Sequence, residues 1–325
     1  MSGGIDDRAG QPSPLPKPSD RTMQLDISVV VPTYNRLDTL REVVPTLLAQ
    51  DLGRDRYEVL ICDSNSTDGT LDYLAGVRAE HPNVRHLPGA YTGRAMARNA
   101  GIAAARGRVI LFNDSDILTS PELLSRHLQH HTEQLHVAVV GWEVQVKNLV
   151  DYADKRHHPE KRGHLHSPNR TRLPWLYFLT GNASVRRDDL LRVGCFDESF
   201  TGYGHEDLEL GYRLTKAGVT ILYEPRAINY HCQDVPHEDQ KEKMRLAGRS
   251  TARFYRKHPD FAVKLNLGMT PVSLGAHSLL TRWPAVLGWF DARAGRSKFA
   301  RDLVQQYHYV SGIKEALARS AQKAS

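Results

Sequence analysis

Arg108-Val109-Ile110-Leu111-Phe112-Asn113-Asp114-Ser115-Asp116 carries a short apolar stretch straight into a polar turn bearing two carboxylates. A run of this length bounded by turn residues reads as a strand buried on both faces, as in a parallel sheet. The pattern recurs upstream. Ile27–Val31 (ISVVV) ends in Pro32–Asn35, and Tyr57–Cys62 (YEVLIC) ends in Asp63–Asp68. A fourth, shorter strand lies near Val84–Leu87. Between these runs Leu37, Leu40, Val43, Val44, Leu47 and Leu48 recur at helical spacing, with Asn35 placed to cap the helix. Asp68–Glu80 and Gly93–Arg106 read as two more helices. Strands alternating with helices through short loops specify an α/β fold with a mostly parallel central sheet flanked by helices. Ligands of such sheets bind at the carboxyl ends of the strands. The clusters Pro32–Asn35, Asp63–Asp68 and Asn113–Asp116 all fall there, so three loops converge on one edge.

Beyond Pro121 the alternation becomes irregular. His136–Val146 reads as a strand, Lys147–Arg172 as a long, mobile, basic and His-rich loop, and Gly181–Val185 and Val219–Tyr223 as strands flanking a helix at Glu206–Lys216. From about Pro236 the chain reads as a helical C-terminal extension. Residues 1–24, with four prolines in Gln11–Pro18 and few bulky apolar side chains, read as a disordered lead. The body, 25–235, divides into two halves, 25–120 and 121–235, followed by the extension at 236–325.

The 325 residues are 40% hydrophobic and 25% charged, enough for a sizeable core. The net charge of +6 is spread along the chain, which suits anionic ligands or an acidic membrane surface and is too diffuse for nucleic acid. Three cysteines without finger spacing argue against a disulfide framework and for a reducing compartment. With no apolar leader and no run near the roughly 18 residues of a membrane span, a cytoplasmic location is expected.

Asp114 and Asp116, two residues apart at a strand end, can both turn toward one hard cation, which would bridge them to a diphosphate. The plainer reading is an acidic loop before a helix start at Ser120-Pro121-Glu122. The ordered set Val31-Pro32-Thr33-Tyr34-Asn35, Asp63–Thr70, Gly93 with Ala97–Gly101, and Asp114-Ser115-Asp116 resembles glycosyltransferase family 2, with its nucleotide-binding GT-A fold. Gly181–Ser184 through Gly204–Glu209 is similar to the C-terminal part of galactosyltransferase-like enzymes, a part also found in chondroitin-type polymerases. The resemblance covers roughly Ile27 to Gln233 and implies that 25–120 is a nucleotide-binding half and 121–235 an acceptor-binding half. It implies an inverting, metal-dependent transfer of a sugar from a nucleotide diphosphate donor, UDP being favoured, to an acceptor hydroxyl. By the same resemblance Pro32, Tyr34, Asn35 and Asp63 hold the nucleoside, and Arg98, Asn99 and Asp114 lie beside the sugar and diphosphate. Asp114, Asp116 and His231 then bind Mn²⁺ or Mg²⁺, Asp207 is the base, and Glu206 contacts acceptor or sugar.

Other residues leave more than one reading open. Asp68-Gly69 reads as turn and cap chemistry rather than ligand contact. His157, His158, His164 and His166 read as loop residues without metal spacing. Trp142 either lines the acceptor site or packs. The extension mixes Trp283, Trp289 and Phe290 with Arg282, Arg293, Arg296 and Lys298; it is either a peripheral membrane surface or helices packed on the catalytic body. Acceptors in keeping with this pattern are a glycan, a lipid-linked glycan or a small natural product. Two rival functions are a sugar nucleotidyltransferase, which would want a Gly-rich, basic first loop that Val31–Asn35 lacks, and a non-catalytic sugar- or nucleotide-binding module, which would dispense with the acids at 114, 116 and 207.

Overall fold

The computed structural model describes residues 25–163, 171–232 and 237–324; the N-terminal lead, His164 and His166 lie outside the described residues. Nine strands there form one sheet: β1 (Leu25–Thr33), β2 (Tyr57–Asp63), β3 (Val84–Pro88), β4 (Gly107–Phe112), β5 (Ile117–Thr119), β6 (Val137–Val146), β7 (Arg172–Leu173), β8 (Ala183–Arg186) and β9 (Thr220–Cys232). The helices are α1 (Leu37–Leu48), α2 (Thr70–Glu80), α3 (Arg94–Ala104), α4 (Leu123–Glu133), α5 (Leu149–His157), α6 (Arg187–Val193) and α7 (Glu206–Lys216). They continue with α8 (His237–Lys257), α9 (Phe261–Asn266), α10 (Pro271–Arg282), α11 (Pro284–Asp291) and α12 (Lys298–Ala324).

The strand order is β3-β2-β1-β4-β8-β6-β9-β5, with β7 added on β9. The first four strands are parallel, as the apolar runs predict, and β8 enters antiparallel between β4 and β6. Side chains alternate across β1: Val30 joins one core with Phe112, Ile102 and Phe196, while Ile27, Val29 and Val31 join the other with Leu40, Val43 and Leu47. Helix α3 lies close on the sheet because residue 101 is glycine; a Cβ there would come within 2.4 Å of Val30 Cγ1.

Three readings are corrected. Lys147–Arg172 is not a bare loop: α5 forms because Asn148 Oδ1 accepts from Asp151 N–H while Asp151 Oδ2 accepts from Lys147 N–H, and His157 and His158 sit at its end. Asn35 does not cap α1. Its backbone is left-handed (φ 49°), its Oδ1 accepts from Thr67 N–H, and Asp68 Oδ2 accepts the Leu37 N–H instead. The strand expected at Val219–Tyr223 runs on to Cys232, because residues 225–227 bulge out between the pairs Gly141↔Glu224 and Trp142↔Ile228.

Candidate active site

The carboxyl ends of β1, β2 and β4 open onto a cleft of about 350 Å³ lined by Pro32, Tyr34, Arg36, Arg94, Asp114 and Asp116 among others. Pro32 and Tyr34 thus stand where the sequence predicts, and Tyr34 is 60% exposed. Asp63 is buried at the end of β2, accepting from Ser66 Oγ at 2.5 Å and facing His86 Nε2 at 3.3 Å. Its neighbour Ser64 lines the cleft, whereas the side chain of Asn35 is taken up by the Ser66–Thr67 turn.

The second cluster is assembled by strand pairing. Antiparallel β5 and β9 set Ile117 opposite His231, which brings that histidine beside Asp116. His231 Nδ1 contacts Glu143 Oε1 at 3.1 Å, and Nε2 lies 3.6 Å from Asp116 Oδ1. The latter distance is too long for a hydrogen bond, yet it suits two atoms facing one shared ion. Burial alone would lower the His231 pKa; the Asp116 and Glu143 carboxylates outweigh it and hold the imidazole up at about 10. Burial likewise works against Asp116, but the neighbouring His231 brings its pKa below the usual value, with the charges of Arg36 and Arg94 adding to the pull. A metal bound here would therefore displace a proton.

Asp114 does not complete a three-ligand set. Its Oδ1 accepts from Arg98 Nη2 at 2.8 Å, and among the described residues no three His, Cys, Asp or Glu side chains converge on one ion-sized point. Asp116 and His231 alone face each other there, and a hard cation that kept water and diphosphate oxygens in its shell would fit such a pair. Glu143 was not legible from sequence. It fixes the ring of His231 in the way carboxylates orient metal-bound histidines.

Arg98, on α3, is held away from the solvent of the cleft. Read as a phosphate ligand, it is 1% exposed and bonded to two carboxylates, Asp114 and, through Nη1 at 3.0 Å, Glu206 Oε1. The bridge ties the end of β4 to the start of α7. Glu206 takes part in it through Oε1 and is 4% exposed. Asn99 is likewise taken up elsewhere: Nδ2 donates to Phe196 O and Glu198 Oε1, and Oδ1 accepts from Phe196 N–H. Thr33 Oγ1, Arg98 Nε, Asn113 Oδ1 and Glu206 Oε2 are buried here without a hydrogen-bond partner in the protein.

Asp207 is half-buried beside them. Burial raises its pKa first, and the charge of Glu206 raises it further, against the pull of Arg98. Gly204 (φ 83°) and His205 (φ 75°) turn the chain left-handed immediately before Glu206, and the Arg98 bridge sets the first turn of α7 behind Asp114, which lines the cleft. The turn is held from the C-terminal helices: Thr251 Oγ1 bonds His205 Nε2 at 2.7 Å and Tyr309 Oη at 2.6 Å, and Ser250 Oγ donates to Tyr203 O. Burial keeps His205 neutral, with a pKa of about 4.

Sequence reasoning also missed the cations. Arg36 and Arg94 line the cleft, and Lys243 of α8 shares the Tyr203 ring with Arg94, at 5.6 and 5.9 Å from its centroid. Burial lowers the Lys243 pKa, and the charges of Arg94 and Arg36 lower it further, so the three form one positive rim. Isolated cations have no periodicity to read. Trp142 is half-buried against both cores at the β6 bulge.

Comparison with known proteins agrees with this layout. Residues 28–194 match the family model "Glycosyl transferase family 2", and residues 161–237 match "N-terminal domain of galactosyltransferase". A validoxylamine A glucosyltransferase of Streptomyces hygroscopicus subsp. jinggangensis is 31% identical over 275 residues, covering 75% of this chain and 64% of that protein. The chain thus spans under two-thirds of that relative's length. The mannosyltransferase PcManGT of Pyrobaculum calidifontis, solved with GDP-Man and Mn²⁺, superposes with a TM-score of 0.61 at 22% identity, over 91% of this chain and 88% of its own. S. aureus TarS 1–349 in complex with UDP gives 0.55 at 20% identity, over 92% of each chain. The fold is that of these GT-A enzymes, and the chain belongs to glycosyl transferase family 2.

Proposed function

We propose that the protein is an inverting glycosyltransferase that moves a sugar from a nucleotide diphosphate, UDP being the favoured carrier, to an acceptor hydroxyl. The observation that carries the reading is the Asp114–Arg98–Glu206 bridge, which holds the donor-side strand end and the Asp207 turn at one cleft. Asp207 takes the proton of the acceptor hydroxyl. That oxygen bonds to the anomeric carbon as the bond from carbon to phosphate oxygen breaks, and the nucleoside diphosphate departs. A base of raised pKa suits this step because proton transfer is most effective when the base titrates near the working pH. The leaving diphosphate meets the rim of Arg36, Arg94 and Lys243. A divalent cation, Mn²⁺ or Mg²⁺, would be held by Asp116 and His231 and would supply further neutralisation of the leaving group. The acceptor is a glycan, a lipid-linked glycan or a small natural product.

Calorimetric titration of UDP, GDP and dTDP, with and without Mn²⁺, tests the reading. Metal-dependent binding of one nucleotide is expected; a folded protein that binds none would be a degenerate binding module. In the same experiment Asp116→Ala abolishes the metal dependence. Glu143→Ala, which frees the His231 ring, weakens metal-dependent nucleotide binding by about 10–100-fold. An unaltered Mn²⁺ response in both variants would remove this pair as the metal site.

A further inference from the structure

The C-terminal helices carry a surface that the transfer reading does not use. Helix α11, Pro284-Ala285-Val286-Leu287-Gly288-Trp289-Phe290-Asp291, is apolar almost throughout, yet none of its residues is buried. A helix apolar on all sides normally lies in a core. Around it Val272 (81% exposed), Leu279 (60%), Trp283 (60%), Trp289 (52%) and Phe299 (67%) also face outward. Aromatic contacts bind the cluster together: Trp289 meets Phe290 edge-on at 4.9 Å, and Phe290 meets Phe299 at 5.9 Å. This is a contiguous apolar face rather than scattered residues, of the kind that marks an interaction surface.

Its charge selects the occupant. From Asp260 to Asp302 the chain has six cations, Lys264, Arg282, Arg293, Arg296, Lys298 and Arg301, against three acids, each of them paired: Asp260 with Lys216 at 3.3 Å, Asp291 with Lys241 at 2.7 Å and Asp302 with Lys298 at 2.7 Å. Arg293 lies 3.8 Å over the Trp289 ring, so an aromatic face and a cation are presented together. A second copy of the chain docked on this face through a two-fold axis would set the cations against one another. An anionic lipid surface instead takes the apolar side chains at its acyl boundary and the cations at its headgroups. No helix among the described residues is long and apolar enough to cross a membrane, so the contact is interfacial.

We propose that α10, α11 and the start of α12 form a docking face for an anionic lipid bilayer. The face holds the protein flat on the membrane by Trp283, Trp289 and Phe299, with Arg282, Arg293 and Arg296 at the phosphate level.

The test is flotation of the full chain with vesicles of phosphatidylcholine alone and of phosphatidylcholine with phosphatidylglycerol. Binding to the anionic vesicles only, with a blue shift of tryptophan emission and release by salt, is the expected result. Trp283→Ala/Trp289→Ala and, separately, Arg293→Gln/Arg296→Gln each lower the partition coefficient on the order of tenfold or more. Both variants bind UDP as the parent does, so loss of the membrane contact is read apart from any failure of the donor site. Wild-type protein that stays unbound, or variants that float equally well, would overturn the proposal. So would sedimentation showing a dimer that these substitutions dissociate, which would make a second copy the occupant.

Discussion

Asp207→Asn is expected to leave nucleotide binding intact and to lower the transfer rate by about 10²–10⁴-fold, the usual contribution of a positioned base. The carboxylate stands on the first turn of α7 with its pKa raised by burial and by Glu206. In the parent enzyme the rate should therefore fall on the acid side at a pH above the ordinary carboxylate value of about 4. The amide cannot titrate, so whatever activity the variant keeps should lack that limb. Stability moves the other way. A carboxylate whose pKa is higher folded than unfolded loses its stabilising contribution as pH rises from the unfolded value through the folded one. At neutral pH the ionised Asp207 is thus a burden on the fold, and the Asp207→Asn variant should melt at a higher temperature than the parent. Unchanged turnover would remove Asp207 as the base; a lower melting temperature would mean that the raised pKa is wrong.

Arg98→Met should be the most damaging substitution to stability. The guanidinium is buried between Asp114 and Glu206 and lies 5.5 Å from the centre of the Phe196 ring. Removing one member of such a buried group leaves charges uncompensated and costs about 3–5 kcal/mol. In a chain this long that corresponds to a fall in Tm on the order of 10 °C. The bridge makes a sharper claim than the size of the loss. Adding Glu206→Gln to Arg98→Met should recover part of the stability, because one of the stranded charges is gone. Two substitutions whose costs simply add, in thermal melts of all four proteins, would show that Arg98 and Glu206 are not coupled.

The parallel half of the fold was legible because β1, β2 and β4 are buried on both faces and must be written as continuous apolar runs, whereas edge strand β3 shows only weakly. The second half was harder for physical reasons. Strand β9 hides its length behind Glu224-Pro225-Arg226, residues a strand avoids, which the bulge opposite Gly141 and Trp142 absorbs. Helix α5 is polar and has no buried residue, so its caps rather than its periodicity specify it. In the site, the acids at 114, 116, 206 and 207 announced themselves by type and position. What Arg98 and Glu206 do did not, since the carboxylate partners of Arg98 lie 16 and 108 residues away from it. Glu143 meets His231 across 88 residues, and Lys243 reaches the cleft from outside the resembling segment.

The brace from Ser250, Thr251 and Tyr309 to the Tyr203–His205 turn has a consequence for dissecting the enzyme. Helices α8 and α12 cross so closely that a methyl on Gly248 would come within 1.9 Å of Tyr309 O, and one on Gly312 within 2.0 Å of Arg245 O. A gene cut after residue 235 would discard both helices and leave the Tyr203–His205 turn without its clamp. The smallest fragment worth expressing therefore runs through α12. Grafting another protein's tail onto this body would likewise disturb the turn that precedes Asp207.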